Sequence, residues 1–184
     1  ANNDTAHEGL FGKNAPTALL TKVEYGAPRW QVSVAAAFKE NDWEDQYFAT
    51  ADAHTRAVGA SETAIGLRAY WKPEDTGFIP AIQFGYDTTS IEDNGNNVKD
   101  ANGWMIGLGW NDVIVDGNKA GVAFGSRVSV NTMGGTGTVE SNDPMTWEAY
   151  YTFQINDNVS VTPAIFNNED PGTTADNNGY VLLT

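Results

Sequence analysis

From Thr17 onward, run after run of this chain places apolar or aromatic residues at every second position, with mostly small or polar residues between. A period of two belongs to strands with one face in an apolar medium and the other in water. Thr17–Tyr25 sets Leu19, Thr21, Val23 and Tyr25 against Lys22 and Glu24. Arg29–Lys39 sets Trp30, Val32, Val34, Ala36 and Phe38 against Arg29, Gln31, Ser33 and Lys39. The runs Thr63–Trp71, Phe78–Asp87, Gly103–Trp110, Thr146–Ile155, Val159–Phe166 and Gly179–Thr184 repeat the pattern. In Lys119–Val130 it groups Val122, Phe124, Val128 and Val130 against Gly121, Gly125, Arg127 and Ser129. No helical stripe of comparable length competes. The sequence therefore predicts an all-β, antiparallel, up-and-down meander of about nine strands.

The connections are sorted by length. Gly26–Pro28, Lys72–Gly77, Asn111–Asn118 and Asn156–Asn158 are the shorter ones. Asn41–Glu62, Thr88–Asn102, Asn131–Met145 and Asn167–Asn178 are long. A meander with short turns on one side and long loops on the other is the pattern of transmembrane barrels, whose extracellular loops are the long ones. A soluble sandwich need not sort its loops this way. The aromatics sort too. Tyr25, Trp30, Trp71, Phe78, Trp110 and Phe153 stand beside the short turns, and Phe38, Tyr86, Trp104, Trp147 and Tyr180 beside the long loops. Two belts on the apolar face suit two membrane–water interfaces. Strand ends rich in Trp and Tyr occur in soluble β proteins as well.

Composition narrows the function. The formal net charge is −14, so phosphate repulsion opposes nucleic acid as a partner. There is no cysteine, which excludes disulfides, thiolate zinc sites and a cysteine nucleophile. No run reaches the roughly 18 apolar residues of a membrane-spanning helix, and no cleavable leader is visible at the start. Charges on the polar strand face are mixed, with Lys22, Arg29, Lys39, Arg68, Lys119 and Arg127 against Glu24, Asp87 and Glu148. Acids such as Glu40, Asp42, Glu44, Glu92, Asp93, Glu140 and Glu169 gather in the loops. Lys22, Glu24, Lys39, Arg68, Arg127 and Glu148 are the candidate pore-lining residues. For any single loop acid, keeping the surface solvated is the simpler role.

Particular segments resemble one family. Gly103-Trp104-Met105-Ile106-Gly107-Leu108-Gly109-Trp110-Asn111-Asp112 resembles a strand of cyanobacterial outer-membrane porins of the OprB-like, carbohydrate-selective group. Trp147–Phe153, followed by Asn156-Asp157-Asn158 and Val159–Phe166, resembles that family's C-terminal hairpin. Gly9-Leu10-Phe11-Gly12 fits ahead of the first strand. The resemblance implies a trimer of barrels with about sixteen strands each. It also implies an N-terminal surface-layer-homology (SLH) module gripping peptidoglycan or another cell-wall polysaccharide. Residues 1–184 are then expected to be the C-terminal part of such a barrel, without that module and the first strands. The expected partners are the rest of the barrel, outer-membrane lipid and small hydrophilic solutes.

Catalytic and metal-binding motifs are weak. His7 and His54 are the two histidines, and neither has ligand spacing. Glu40-Asn41-Asp42-Trp43-Glu44 could align three carboxylates, as a glycosidase needs. It reads better as an acidic loop with an interfacial Trp43. Gly107-Leu108-Gly109 opens no helix and is no nucleotide fingerprint. Ile91–Asn97 is rich in calcium-ligand residue types but lacks EF-hand spacing. Asn3-Asp4-Thr5 and Asn158-Val159-Ser160 match glycosylation acceptors only by pattern. The expectation is a porin, not an enzyme and without a cofactor, passing ions or sugars passively across the outer membrane. Two alternatives stay open: a secreted soluble β-sandwich that binds or hydrolyses polysaccharide, and a surface β-protein with a structural or adhesive role.

Overall fold

A computed structural model describes residues 15–41, 43, 58–74, 77–92, 98–135 and 145–168, together with the backbone of 177–183. These residues form nine strands: β1 (Thr17–Ala27), β2 (Trp30–Glu40), β3 (Ser61–Trp71), β4 (Ala81–Glu92), β5 (Val98–Asn111), β6 (Lys119–Met133), β7 (Met145–Asn156), β8 (Val159–Asn168) and β9 (Asn177–Leu183). They lie in one sheet in sequence order, and every neighbouring pair is antiparallel. The described residues contain no helix. No pairing among them joins β1 to β9.

Local chemistry explains the tight ends. Pro28 and Arg29 make a two-residue turn between β1 and β2. The Arg29 carbonyl accepts from the Lys72 amide at 2.8 Å, and its guanidinium meets Glu74 at 3.0 Å. Arg29 therefore ties two adjacent turns together, where alternation had placed it on a strand face. Between β5 and β6 the chain reverses through left-handed backbone at Asp112, Ile114 and Gly117. The Asp112 carboxylate accepts from the Gly117 amide at 2.8 Å and closes the connection. The β7–β8 turn closes similarly, with the Asn156 side chain accepting from the Asn158 amide at 2.9 Å.

Several boundaries differ from the sequence reading. Thr88–Glu92 and Val98–Asn102 are strand, so only residues 93–97 separate β4 from β5. These polar stretches show no alternation, yet backbone pairing with β3 and β6 holds them extended. Residues 131–133 likewise belong to β6, while Phe78 lies outside β4, fully exposed in the β3–β4 connection. The parity of β6 also changes midway. Trp104 stands opposite Ser126, but Asn102 stands opposite Ser129, so β6 holds an extra residue at Arg127–Val128. This β-bulge brings Val130 opposite Ala101 on the polar face, and a further shift then sets Thr132 opposite Asp100. Val130 therefore does not continue the Val122–Phe124 stripe. Glycine permits the close approach here: a Cβ on Gly125 would strike the Trp104 carbonyl, and one on Gly103 would meet the Val128 amide.

Burial runs opposite to that of a soluble sheet. The face bearing Val34 (49% exposed) and Ile165 (54%) is open, while the polar face holds Ser33 (9%) and Glu62 (7%). Leu20, Ala35, Ala64, Asp87, Ala101 and Arg127 belong to six successive strands, yet they line one trough of about 620 Å³. Strands stand about 4.8 Å apart, so six can share one hollow only if the sheet curls toward its polar side.

Candidate functional site

The register gathers the candidate residues on the curled, polar face. Lys22 and Glu24 of β1 stand opposite Ala35 and Ser33; Lys39 of β2 stands opposite Glu62 of β3. Arg68 is opposite Gly85, and Glu148 of β7 is opposite Ala123 and Phe166. Arg127 lines the trough from the bulge in β6. The side chains between them are mostly small: Ala35, Ala37, Ala64, Gly66, Gly85, Gly103 and Gly107. These small residues leave room over the sheet for the longer charged groups to reach one another.

Most of these charges are paired. Lys22 Nζ lies 2.6 Å from Glu24, which also accepts from Gln31 at 3.0 Å. Arg68 Nη2 reaches both oxygens of Asp87 at 2.8 Å, while Nη1 donates to the carbonyls of Leu67 and Tyr86. Four bonds from one guanidinium fix a planar group against the wall. Lys39 Nζ meets Glu62 at 2.9 Å, and Glu62 also accepts from Thr89 at 3.0 Å. Glu62 thereby clamps β2, β3 and β4 at the end carrying the long connections. It was read as the end of a loop; extending the period of two backward from Ala64 would have placed it on the wall. Toward the short turns, the Asn118 side chain donates to Tyr151 and accepts from the Gln154 amide, and the Tyr151 hydroxyl donates to the Val113 carbonyl.

The open face carries no charge in the middle of any strand. Its residues include Val23, Val32, Val34, Leu67, Phe84, Leu108, Phe124, Ala149 and Ile165, joined by register. Aromatic pairs stand on it, Tyr25 with Trp30 and Tyr151 with Phe153, at 5.5 and 4.6 Å between rings. Tyr86 and Trp104 lie midway along their strands rather than at the ends, because β4 and β5 run past them.

Trp43 is not an interfacial residue at the end of the apolar face. It is 8% exposed and packs with Ala60 and Ile91. Ile91 stands opposite Glu62, so this cluster lies on the polar face. Asp42 and Glu44 of the acidic motif, both histidines, Asn3 and residues 93–97 lie outside the described residues. Among the described residues no cluster of three His, Cys, Asp or Glu side chains could hold a metal ion.

Comparison with known proteins gives one limited likeness. Over 73 residues, 40% of this chain, the sequence is 33% identical to an uncharacterized protein of Synechocystis sp. (strain ATCC 27184 / PCC 6803 / Kazusa). That stretch is 13% of the relative's length, so the chain matches only a small part of it. No family model matches the sequence. No solved structure matches it.

Proposed function

We propose that this sheet is part of the wall of an outer-membrane β-barrel through which ions and small hydrophilic solutes diffuse passively, with sugars a further class of solute. The observation that carries the reading is the inversion of polarity. The face that curls inward is polar, and the face that bends outward is apolar and uncovered. A water-filled barrel in lipid needs this arrangement, because the medium outside is apolar and the lumen is wet. A soluble sandwich needs the reverse, with a second sheet packed on the apolar face. The described residues form one sheet, and nothing in them covers that face.

Two further features support the reading. β1 to β8 have between 10 and 15 residues each. A tilted transmembrane strand needs about 9–11. The sheet is also staggered. Directly opposed residues run Val23, Val34, Leu67, Tyr86, Trp104, Ser126, Met145. Val23 lies four residues from the short-turn end of its strand, and Met145 lies eleven from its own. That is a slip of about one residue per strand, which at standard spacings tilts the strands by roughly 40°, as in closed barrels.

The partners follow from the same physics. Open strand edges are not tolerated in lipid, so β1 and β9 need further barrel strands beside them. The SLH module, the wall polysaccharide and the trimer belong to this proposal through the family resemblance alone. The test is reconstitution of the whole protein. Detergent-extracted protein added to a planar bilayer should give stepwise, ohmic conductance. A protein that is soluble and monodisperse without detergent, and silent in the bilayer, would favour the secreted polysaccharide-binding sandwich.

A further inference from the structure

We propose that Arg127, Glu148 and Asn168 form a subsite in the wall for a small zwitterion, a solute with one ammonium, one carboxylate and an apolar body, as in an amino acid. This names a solute class for the proposed channel and rests on that reading. β5 to β8 share a second hollow, of about 490 Å³, and Arg127 lines both it and the trough. Met105, Glu148, Phe166 and Asn168 also line it. The register puts these four on the polar face: Met105 opposite Gly125, Glu148 opposite Ala123 and Phe166, and Asn168 opposite Thr146. Ala123 and Gly125 lie between Met105 and β7, so no bulky side chain from β6 fills the space there.

Two acceptors in this hollow lack donors. Lys22, Lys39 and Arg68 each hold a carboxylate of the wall. Glu148 has no ion-pair or hydrogen-bond partner among the described residues, Arg127 included. Asn168 Oδ1 is buried, also without a donor. Glu148 stands opposite Phe166, two residues from Asn168 along β8, so the carboxylate and the amide are diagonal neighbours on one face. A buried acceptor left without a donor is costly. An ammonium brings three N–H donors and a positive charge, and can serve both oxygens at once. The Phe166 ring attracts a cation over its face and, with the Met105 thioether, seats an apolar body. Arg127 decides between a plain amine and a zwitterion. It lies four residues along β6 from Ala123, the residue opposite Glu148, so the hollow has a negative and a positive end. Arg127 is itself engaged, but the five N–H donors of a guanidinium let it hold a further carboxylate. It repels an amine that has no carboxylate. A solute carrying both charges is attracted at both ends.

The experiment uses the whole protein in planar bilayers at low salt, with leucine as the probe. Isoamylamine, which lacks leucine's carboxylate, and isocaproate, which lacks its ammonium, are the matched comparisons. Leucine should interrupt the ion current at lower concentration than either. Glu148→Gln keeps the side chain's shape and removes its charge. It should raise the half-blocking leucine concentration about tenfold and leave block by isocaproate no weaker. Asn168→Ala should shift leucine block in the same direction by a smaller factor. Conductance without solute reports assembly of each variant. Assembled Glu148→Gln channels with wild-type leucine block would overturn the assignment while leaving the channel reading intact. So would a conducting wild type that leucine does not block, or that isoamylamine blocks equally well. Absence of any wild-type conductance would instead overturn the channel reading, and this assignment with it.

Discussion

Arg68 shows what a wall position asks of a side chain. Its guanidinium and the Asp87 carboxylate are each about half exposed, so their attraction is screened and contributes at most about 1 kcal/mol. Arg68→Gln should therefore leave folding nearly intact. The electrical effect should be larger. Arg68→Glu combined with Arg127→Glu converts two cations of the proposed lumen into anions. Conductance at 0.1 M salt should shift toward cations, and the shift should shrink at 1 M, where the Debye length falls from about 10 to about 3 Å. Unchanged selectivity at low salt in an assembled channel would leave both residues a structural role only. The glycines give a second residue-scale test. Gly125→Ala places a methyl group on the Trp104 carbonyl and should destabilise by about 1–3 kcal/mol. Gly109→Ala meets nothing within 4 Å and should be tolerated. Urea midpoints of the two variants should separate; coincident midpoints would contradict the close packing at the bulge. The sequence made the facing of Lys22, Glu24, Lys39, Arg68 and Glu148 legible, because a period of two fixes a face. It could not reveal the partners of Arg68 or the turn role of Arg29, which depend on how neighbouring strands are aligned.

At the scale of the strand, parity is the testable quantity. Val34 and Ala35 are neighbours on β2, but Val34 stands opposite Val23 and Leu67, and Ala35 stands opposite Lys22 and Gly66. On the proposed reading, Val34→Lys would put a charge into lipid and should cost on the order of 2–4 kcal/mol at the bilayer midplane. Ala35→Lys points into the trough and should cost far less. The comparison is made by reversible unfolding from detergent or vesicles. Equal losses would mean that both faces meet the same medium. Alternation of this kind could be read along β1, β2, β3 and β7 without any structure. It failed at the ends of β4, β5 and β6. Thr88–Glu92 and Val98–Asn102 carry too few apolar residues to show a period, and their pairing is backbone chemistry that any side chain permits. It failed again at Arg127–Val128, where an extra residue shifts Ser129 and Val130 to the opposite faces. Gly125 is the nearest local hint of that bulge, and glycine alone does not specify one. Trp43 was misread for a related reason. An aromatic residue after a strand suits a membrane interface, and only the position of Ile91 two strands away shows that it packs on the other face.

For the whole molecule, the meander makes sidedness a single binary choice. With nine antiparallel neighbours in sequence order, the connections after β1, β3, β5 and β7 emerge at one end of the sheet, and those after β2, β4, β6 and β8 at the other. The first set closes through tight turns such as Pro28-Arg29 and Asp157-Asn158. The second includes residues 44–57 and 136–144 and carries much of the acidic excess, Asp45, Asp52, Glu140 and Asp143 among it. Acidic loops outside a barrel would give its mouth a negative potential, which draws cations toward the entrance and acts separately from the wall charges below. In barrels of this kind the long loops face outward from the cell and the tight turns face the periplasm. A protease added to intact cells should therefore cleave within 44–57 and 136–144. It should spare Pro28-Arg29 and Asp157-Asn158 until the outer membrane is opened. An epitope inserted after Gly137 should be stained on intact cells, and one inserted after Asp157 only after permeabilisation. Because the topology couples all the connections, one clear result at each end fixes the rest. Staining at Asp157 with protection at Gly137 would reverse the orientation, and equal access at both ends without permeabilisation would remove the protein from the membrane altogether.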